Sequence, residues 1–442
     1  MMYLFYSLLT LAALVAGSPY FLYQAIRHKK YFGSISQRLG SLPITFNVDG
    51  EESIWIHGVS VGEALTARAL IADLRARYPR LRLFVSTTTI AGQQVAQKNL
   101  QVDGVFYFPF DWAFAIKRTM RIVRPRLFVM METEIWPNLL RMCRQRGVKT
   151  IVINGRISSR SYPRYRLIRP LFRRVLNDVD RFCMQSETSA ERLIDLGADP
   201  KRVTVTGSLK FDSVPLPAVV AHGKPRELVL RFFPLSAARV VIVAGSTMKL
   251  EEEAVLRAFA RVKSIASGAL LILAPRHAQR FDEVVALARD EGFVVVKRTG
   301  MAIDVEPRAD VVVLDTFGEL AQLYQLATVV FVGGSLANYG GHNILEPAVF
   351  GKPILFGPHM QNFKEIAEIF ISNDAAVQVG SARELEEEMR RLVTDPVRRA
   401  RLGAAARALV DATRGAPDKT LASGEALLPA VPGNVRPFRL VH

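Results

Sequence analysis

Three glutamates stand at the ends of short apolar runs, and one of them is placed to take a proton from an attacking hydroxyl. Ser53–His57 reads as a buried strand that breaks into Gly58-Val-Ser-Val-Gly62-Glu63. Arg126–Met131 reads as another, ending in Glu132-Thr-Glu134 ahead of Trp136-Pro137, a helix start. Glu63 at a helix N-terminus has a plain role in the helix dipole; at a strand's C-terminal edge it has the sharper role of general base. Of the other pair, Glu134 is expected to cap the following helix before Glu132 does, which leaves Glu132 for the site. Lys210, in Gly207-Ser-Leu-Lys210-Phe-Asp212, follows the strand Val203–Thr206 and suits neutralisation of developing negative charge.

A second polar group lies between Val329 and Glu365, a window with six glycines. The run Val329–Val332 breaks into Gly333-Gly334-Ser335; then come Gly340-Gly341-His342-Asn343, the helix start Glu346-Pro347, a short strand, and Gly357-Pro358-His359. Bare backbone beside polar side chains suits phosphate and sugar hydroxyls, although a lone Gly-Gly-Ser fits any α/β loop equally well. Pro275-Arg276-His277 and Asp315-Thr316-Phe317-Gly318-Glu319 close two further strands. Asp178-Val-Asp180 has the form of a metal-binding pair. It precedes the strand Arg181–Met184, however, which is the wrong strand end for a ligand, so a structural role is expected.

Strand, turn and helix repeat along both halves, so the elements that must position these residues are those of two Rossmann-like α/β domains. At 442 residues the chain is too long for one ordinary core. The Pro- and Gly-richer stretch 215–225 reads as the linker between a domain at 27–214 and a domain at 226–442. Two cysteines, Cys143 and Cys183, without metal-ligand spacing, fit a reducing compartment.

Charge is uneven. Residues 1–214 hold 31 Lys and Arg against 16 Asp and Glu (+15); the rest holds 27 against 25 (+2). An anionic partner therefore meets the first half. Residues 1–26 carry no charge, and Arg27, His28, Lys29 and Lys30 follow together. The sixteen residues before Gly17 would span about 24 Å as helix, short of a roughly 30 Å hydrocarbon core; all 26 suffice if Gly17-Ser18-Pro19 is a kink. A membrane anchor is expected, with the body on the cytoplasmic side because the basic flank follows the apolar run. From Arg156 to Arg174 there are seven arginines and no acid, interleaved with Tyr162, Tyr165 and Phe172. Downstream of an anchor, this run suits anionic lipid headgroups or a lipid phosphate at least as well as nucleic acid.

The stretches HGVSVGE, METEIWPNL, NGRISSRSYPRY, VTGSLKFD, LAPRH, DTFGEL, VFVGGSLANYGGHNILEPA and GPHMQNFKE occur in one order across both halves. Together the chain resembles the Kdo transferases, which attach 3-deoxy-D-manno-octulosonic acid (Kdo) to lipid A precursors. The resemblance implies a GT-B architecture, in which two Rossmann-like domains face each other across a cleft. It also implies transfer of Kdo from CMP-Kdo to the glucosamine disaccharide of a tetraacylated lipid A precursor, with CMP released, at the bacterial inner membrane. It makes Glu63 the general base, and Glu132 and Lys210 stabilisers of the transition state. CMP would be held by Pro275 and Arg276, by Phe317, Gly318 and Glu319, and by Asn343, Ile344, Leu345 and Glu346. Members commonly carry Met where this chain has Phe317, so its contact would be stacking or backbone. No cofactor beyond the donor, no metal and no nucleic-acid partner is expected. Backbone N–H groups of the glycine loop, with Arg276, would stabilise the departing phosphate. Two other readings remain: a sugar-nucleotide epimerase of the same fold, and a membrane-tethered nucleic-acid-binding protein.

Overall fold

Two seven-stranded sheets organise the described residues. The computed structural model describes residues 3, 5–12, 16–17, 32–58, 63, 66–159, 161–214 and 229–428. The expected linker 215–225, and residues 1, 2, 4, 13–15 and 18–26 of the expected anchor, lie outside the described residues. Among those described, no helix is long and apolar enough to cross a membrane. The chain divides into two compact units, Met1–Ser213 with Arg414–His442, and Val214–Thr413.

In the first unit the strands are β1 (Ser53–His57), β2 (Arg82–Thr87), β3 (Gly104–Tyr107), β4 (Pro125–Met131), β5 (Lys149–Gly155), β6 (Arg181–Met184) and β7 (Val203–Val205). All pair in parallel, in the order β3-β2-β1-β4-β5-β6-β7. The order reverses between β1 and β4, which makes the C-terminal ends of these two strands the switch point where doubly wound sheets bind ligands. Side chains alternate between the two faces. Trp55, Phe84, Phe106 and Phe128 share one buried cluster, while Ile54, Ile56, Leu83, Val85 and Val129 share the other.

The second unit repeats the plan with β8 (Val241–Thr247), β9 (Leu270–Pro275), β10 (Val295–Lys297), β11 (Val311–Val313), β12 (Val329–Val332), β13 (Ile354–Phe356) and β14 (Val377–Gln378). These strands are again all parallel, in the order β10-β11-β9-β8-β12-β13-β14. The reversal falls between β8 and β12, so Gly245–Thr247 and the loop after Val332 occupy its switch point.

The second domain was expected to run to residue 442, and this is corrected: the helix Ala416–Glu425 belongs to the first unit. Asp212 draws it there, accepting the N–H groups of Gly415 (2.9 Å) and Ala416 (3.3 Å). Ala416, Leu421 and Leu428 then complete the cluster around Ile54 and Val129. Burying a leucine side chain in this way contributes about 1.5–3 kcal/mol.

Candidate active site

At the switch point of the first sheet, β1 ends in His57, and the N–H of Gly58 bonds Ser86 O at 3.1 Å. The N–H of Ala67 donates to Glu63 O (2.9 Å), so Glu63 lies in a helical turn. A Cβ built on Gly58 would lie 3.5 Å from Met131 Sδ and 3.8 Å from Glu63 Oε2, which sets the Glu63 carboxylate beside the end of β4. There Glu132 adopts a left-handed backbone (φ 55°), and its N–H still pairs with Ile153 O at 2.9 Å. Such strain in a non-glycine residue is held only where the surroundings over-determine it.

The expectation that Glu134 caps the next helix is corrected. Asp111 does so from 27 and 28 residues upstream, accepting the N–H groups of Asn138 (3.0 Å) and Leu139 (2.8 Å). Glu134 is left among carboxylates instead. Burial, then the charges of Glu63 and Glu132, push it up to about 7. Two like charges this close resist joint ionisation, so the cluster can hold a proton near neutral pH.

Lys210 reaches the same edge although β7 is an edge strand. After Val205, the N–H groups of Thr206 and Gly207 both bond Met184 O, and Leu209 N–H bonds Asn154 Oδ1 at 3.0 Å. The loop thus lies across the ends of β6 and β5. Asn154, buried and left-handed (φ 54°), is the positioning residue the motif reading missed. Its signal was the Asn-Gly at a strand end, a pair that tolerates positive φ. Asp178 and Asp180 are occupied structurally. Asp178 pairs with Arg144 (3.0 Å) and accepts from Tyr3 Oη (2.7 Å), and Asp180 accepts from Thr150 N (2.9 Å).

In the second unit, β9 delivers buried Pro275 and exposed Arg276, whose N–H bonds Thr247 O at 3.0 Å. Asn343 opens the short helix Leu345–Ala348. Its Oδ1 accepts Leu345 N–H (3.1 Å), and its amide donates to Glu346 Oε1 (3.3 Å). Burial pushes Glu346 up to about 6, opposed by the Asn343 amide and by Arg276. His342 is pushed down to about 4 by burial and by the charges of Arg276 and His277. Arg276, His277, His342 and Glu346 therefore form one electrostatic group. Ile344 and Leu345 are fully buried and offer a ligand only backbone.

Phe317 is exposed and packs on Phe281 (ring centroids 5.8 Å apart), and Gly318 is left-handed (φ 86°) with open space around it. The Glu319 carboxylate is already engaged, by Arg298 (3.0 Å) and Thr316 Oγ1 (2.6 Å).

One part of the glycine-loop expectation fails. The N–H groups of residues 333–337, at the start of the glycine loop, are not offered to a phosphate. Gly333 N–H bonds Gly245 O (2.8 Å), and those of Gly334, Ser335, Leu336 and Ala337 all bond the Glu251 carboxylate. The sequence showed Glu251 only as one of three acids at a helix start.

Two doubly wound parallel sheets with polar clusters at both switch points define a GT-B-like glycosyltransferase fold. The crystal structure of UDP-GlcNAc 2-epimerase from Neisseria meningitidis bound to UDP-GlcNAc shares this fold. It is 12% identical, with a TM-score of 0.54, over 81% of this chain and 98% of that one. A family model described as 3-Deoxy-D-manno-octulosonic-acid transferase (kdotransferase) matches residues 33–213. The 3-deoxy-D-manno-octulosonic acid transferase of Haemophilus influenzae is 32% identical over 377 residues, which cover 84% of this chain and 86% of the relative. A bifunctional glycosyltransferase/methyltransferase of Fusobacterium nucleatum is 34% identical over 338 residues; these span 76% of this chain but about half (51%) of that protein. The chain belongs to the 3-deoxy-D-manno-octulosonic acid transferase family, and is a glycosyltransferase.

Proposed function

We propose that the protein transfers Kdo from CMP-Kdo to a hydroxyl of the glucosamine disaccharide of a tetraacylated lipid A precursor. The observation that carries this reading is the carboxylate cluster Glu63, Glu132 and Glu134 at the switch point of the basic first unit. Glu63 takes the hydroxyl proton as that oxygen bonds to the anomeric carbon of Kdo. The bond from that carbon to the phosphate oxygen breaks, its electron pair stays on the phosphate, and CMP leaves. Glu132 faces the positive charge that builds on the sugar, and Lys210 the negative charge that builds on the leaving group.

CMP is held in the second unit. Arg276 takes the phosphate, Glu346 accepts from the ribose hydroxyls, and the segment Phe317–Glu319 contributes a ring face and backbone. With the N–H groups of residues 334–337 spent on Glu251, Arg276 carries more of the phosphate charge than the Gly-Gly-Ser turn suggested. These groups serve the reaction without a metal or a further cofactor.

The protein works at the cytoplasmic face of the bacterial inner membrane. In the helical stretch 5–12, Ser7 and Thr10 turn inward to Asn138 and Trp112, while Phe5, Leu8, Leu9 and Leu11 are exposed. An apolar face turned away from its own protein suits lipid. Arg169, Arg173 and Arg174 line an open cavity of about 1010 Å³, and exposed Leu167 and Ile168 stand beside Arg164 and Arg166. Anionic headgroups complement that surface.

The test is incubation with CMP-Kdo and the lipid A precursor, read by product mass. A mass gain of one or more Kdo units with equimolar CMP supports the reading. Unchanged acceptor with an isomerised sugar nucleotide would support the epimerase, whose claim rests on the shared fold alone.

A further inference from the structure

Glu251 is fully buried at the first position of the helix Glu251–Ile265, and its carboxylate accepts five backbone N–H groups. Oε2 takes those of Met248 (2.9 Å) and Gly334 (2.7 Å). Oε1 takes those of Ser335 (2.9 Å), Leu336 (2.8 Å) and Ala337 (3.2 Å). Successive N–H groups that converge in this way form a concavity for an anion, and the anion in this one is the protein's own side chain. There is no room for another. A Cβ on Gly333 would already lie 2.9 Å from Glu251 Oε2 and 2.6 Å from Ser246 O.

The loop so held sets the next segment. Gly334 O accepts Gly341 N–H (2.7 Å), and the His342 ring lies on Gly334, where a Cβ would come within 2.8 Å of Cδ2. Ser335 O accepts His359 N–H (2.9 Å), and Ser335 Oγ accepts Gly357 N–H (2.8 Å). The carboxylate therefore fixes residues 334–337, and through them His342 and the start of Asn343–Glu346.

We infer that Glu251 is a positioning residue for donor binding: a built-in anion that holds the glycine loop in the one form that aligns His342, Asn343 and Glu346. This rests on the reading of that segment as the CMP site. Glutamine is the informative substitution. Both carboxylate oxygens accept N–H groups, so either orientation of the amide sets its NH₂ against backbone donors.

The full chain is compared with Glu251→Gln and Glu251→Ala by amide hydrogen exchange and by CMP titration calorimetry. The expected result is exchange at Gly334–Ala337 faster by about tenfold or more in both variants. CMP affinity falls by about tenfold or more, the loss typical of hydrogen bonds to a charged group. The donor KM rises while kcat at saturating donor stays within a few-fold, and added formate restores part of the affinity of Glu251→Ala. Unchanged exchange and CMP affinity in both variants would overturn the inference. So would two variants that fail to fold, since the carboxylate would then be a general folding determinant. Wild-type protein that binds no CMP overturns the donor reading instead, and the exchange rates alone then decide whether Glu251 holds the loop.

Discussion

Glu134 sits in the field of Glu63: burial, then the charges of Glu63 and Glu132, push its carboxyl up to about 7. Substituting Glu63→Gln removes one of those charges, so the Glu134 midpoint should fall below about 7 in carboxyl NMR titrations. An unmoved midpoint would mean the two do not interact. The sign for stability follows from the direction of the shift. A folded value above the ordinary 4.5 leaves the contribution of Glu134 intact below about 4.5, and it is lost as pH rises through about 7. Glu134→Gln should therefore gain in melting temperature over wild type at pH 8 and not at pH 4.

Glu63→Gln should lower kcat for Kdo transfer by about 10²–10⁴, the usual worth of a positioned general base. CMP affinity should stay within about twofold, because the substitution leaves every residue proposed to hold CMP unchanged. Full activity in this variant would remove Glu63 as the base.

CMP affinity should depend on pH through Glu346. Its carboxyl is pushed up to about 6, and only the ionised form accepts from two ribose hydroxyls without donating. Binding should therefore weaken as pH falls through about 6, and Glu346→Gln should flatten the profile in calorimetry. Arg276→Ala should weaken CMP by about tenfold at alkaline pH through loss of a charged hydrogen-bond donor, and by more as pH falls, because Arg276 also holds the Glu346 carboxyl down.

Gly357 is the point where the second loop of the donor edge meets the first. A Cβ there would lie 2.2 Å from Ser335 O and 2.3 Å from Leu336 Cα and N, all backbone atoms that cannot swing aside. Gly357→Ala should cost about 1–3 kcal/mol in urea unfolding and weaken CMP binding as well. Equal stability in the two proteins would show that the loops part easily.

The C-terminal helix should matter to the first unit. Leu421, Gly424 and Glu425 line a narrow apolar cleft with Leu70, Leu74, Tyr78, Leu127 and Ile151. Ending the chain after Thr413 uncovers that surface, and an expressed protein should expose it to a hydrophobic dye. Asp212→Ala, which removes the acceptor for Gly415 and Ala416, should destabilise by about 1 kcal/mol.

The strand-end clusters were legible in the sequence because each is local. A β-branched run followed by glycine, proline or an acid defines a strand and its ligand edge within about ten residues, as at Trp55 to Glu63 or Val329 to Ser335. Doubled along the chain, that pattern determined the two α/β sheets and which residues stand at their C-terminal edges. What those residues do with their hydrogen bonds was decided by partners far away in sequence. Asp111, not Glu134, caps the helix at Pro137. Glu251, 83 residues before Gly334, fills the anion site that the glycine motif advertised. Asp212 draws in Gly415 from 203 residues downstream and moves the chain's end to the first unit. A buried polar group must find a partner wherever the fold brings one, and sequence spacing carries no record of which one arrives.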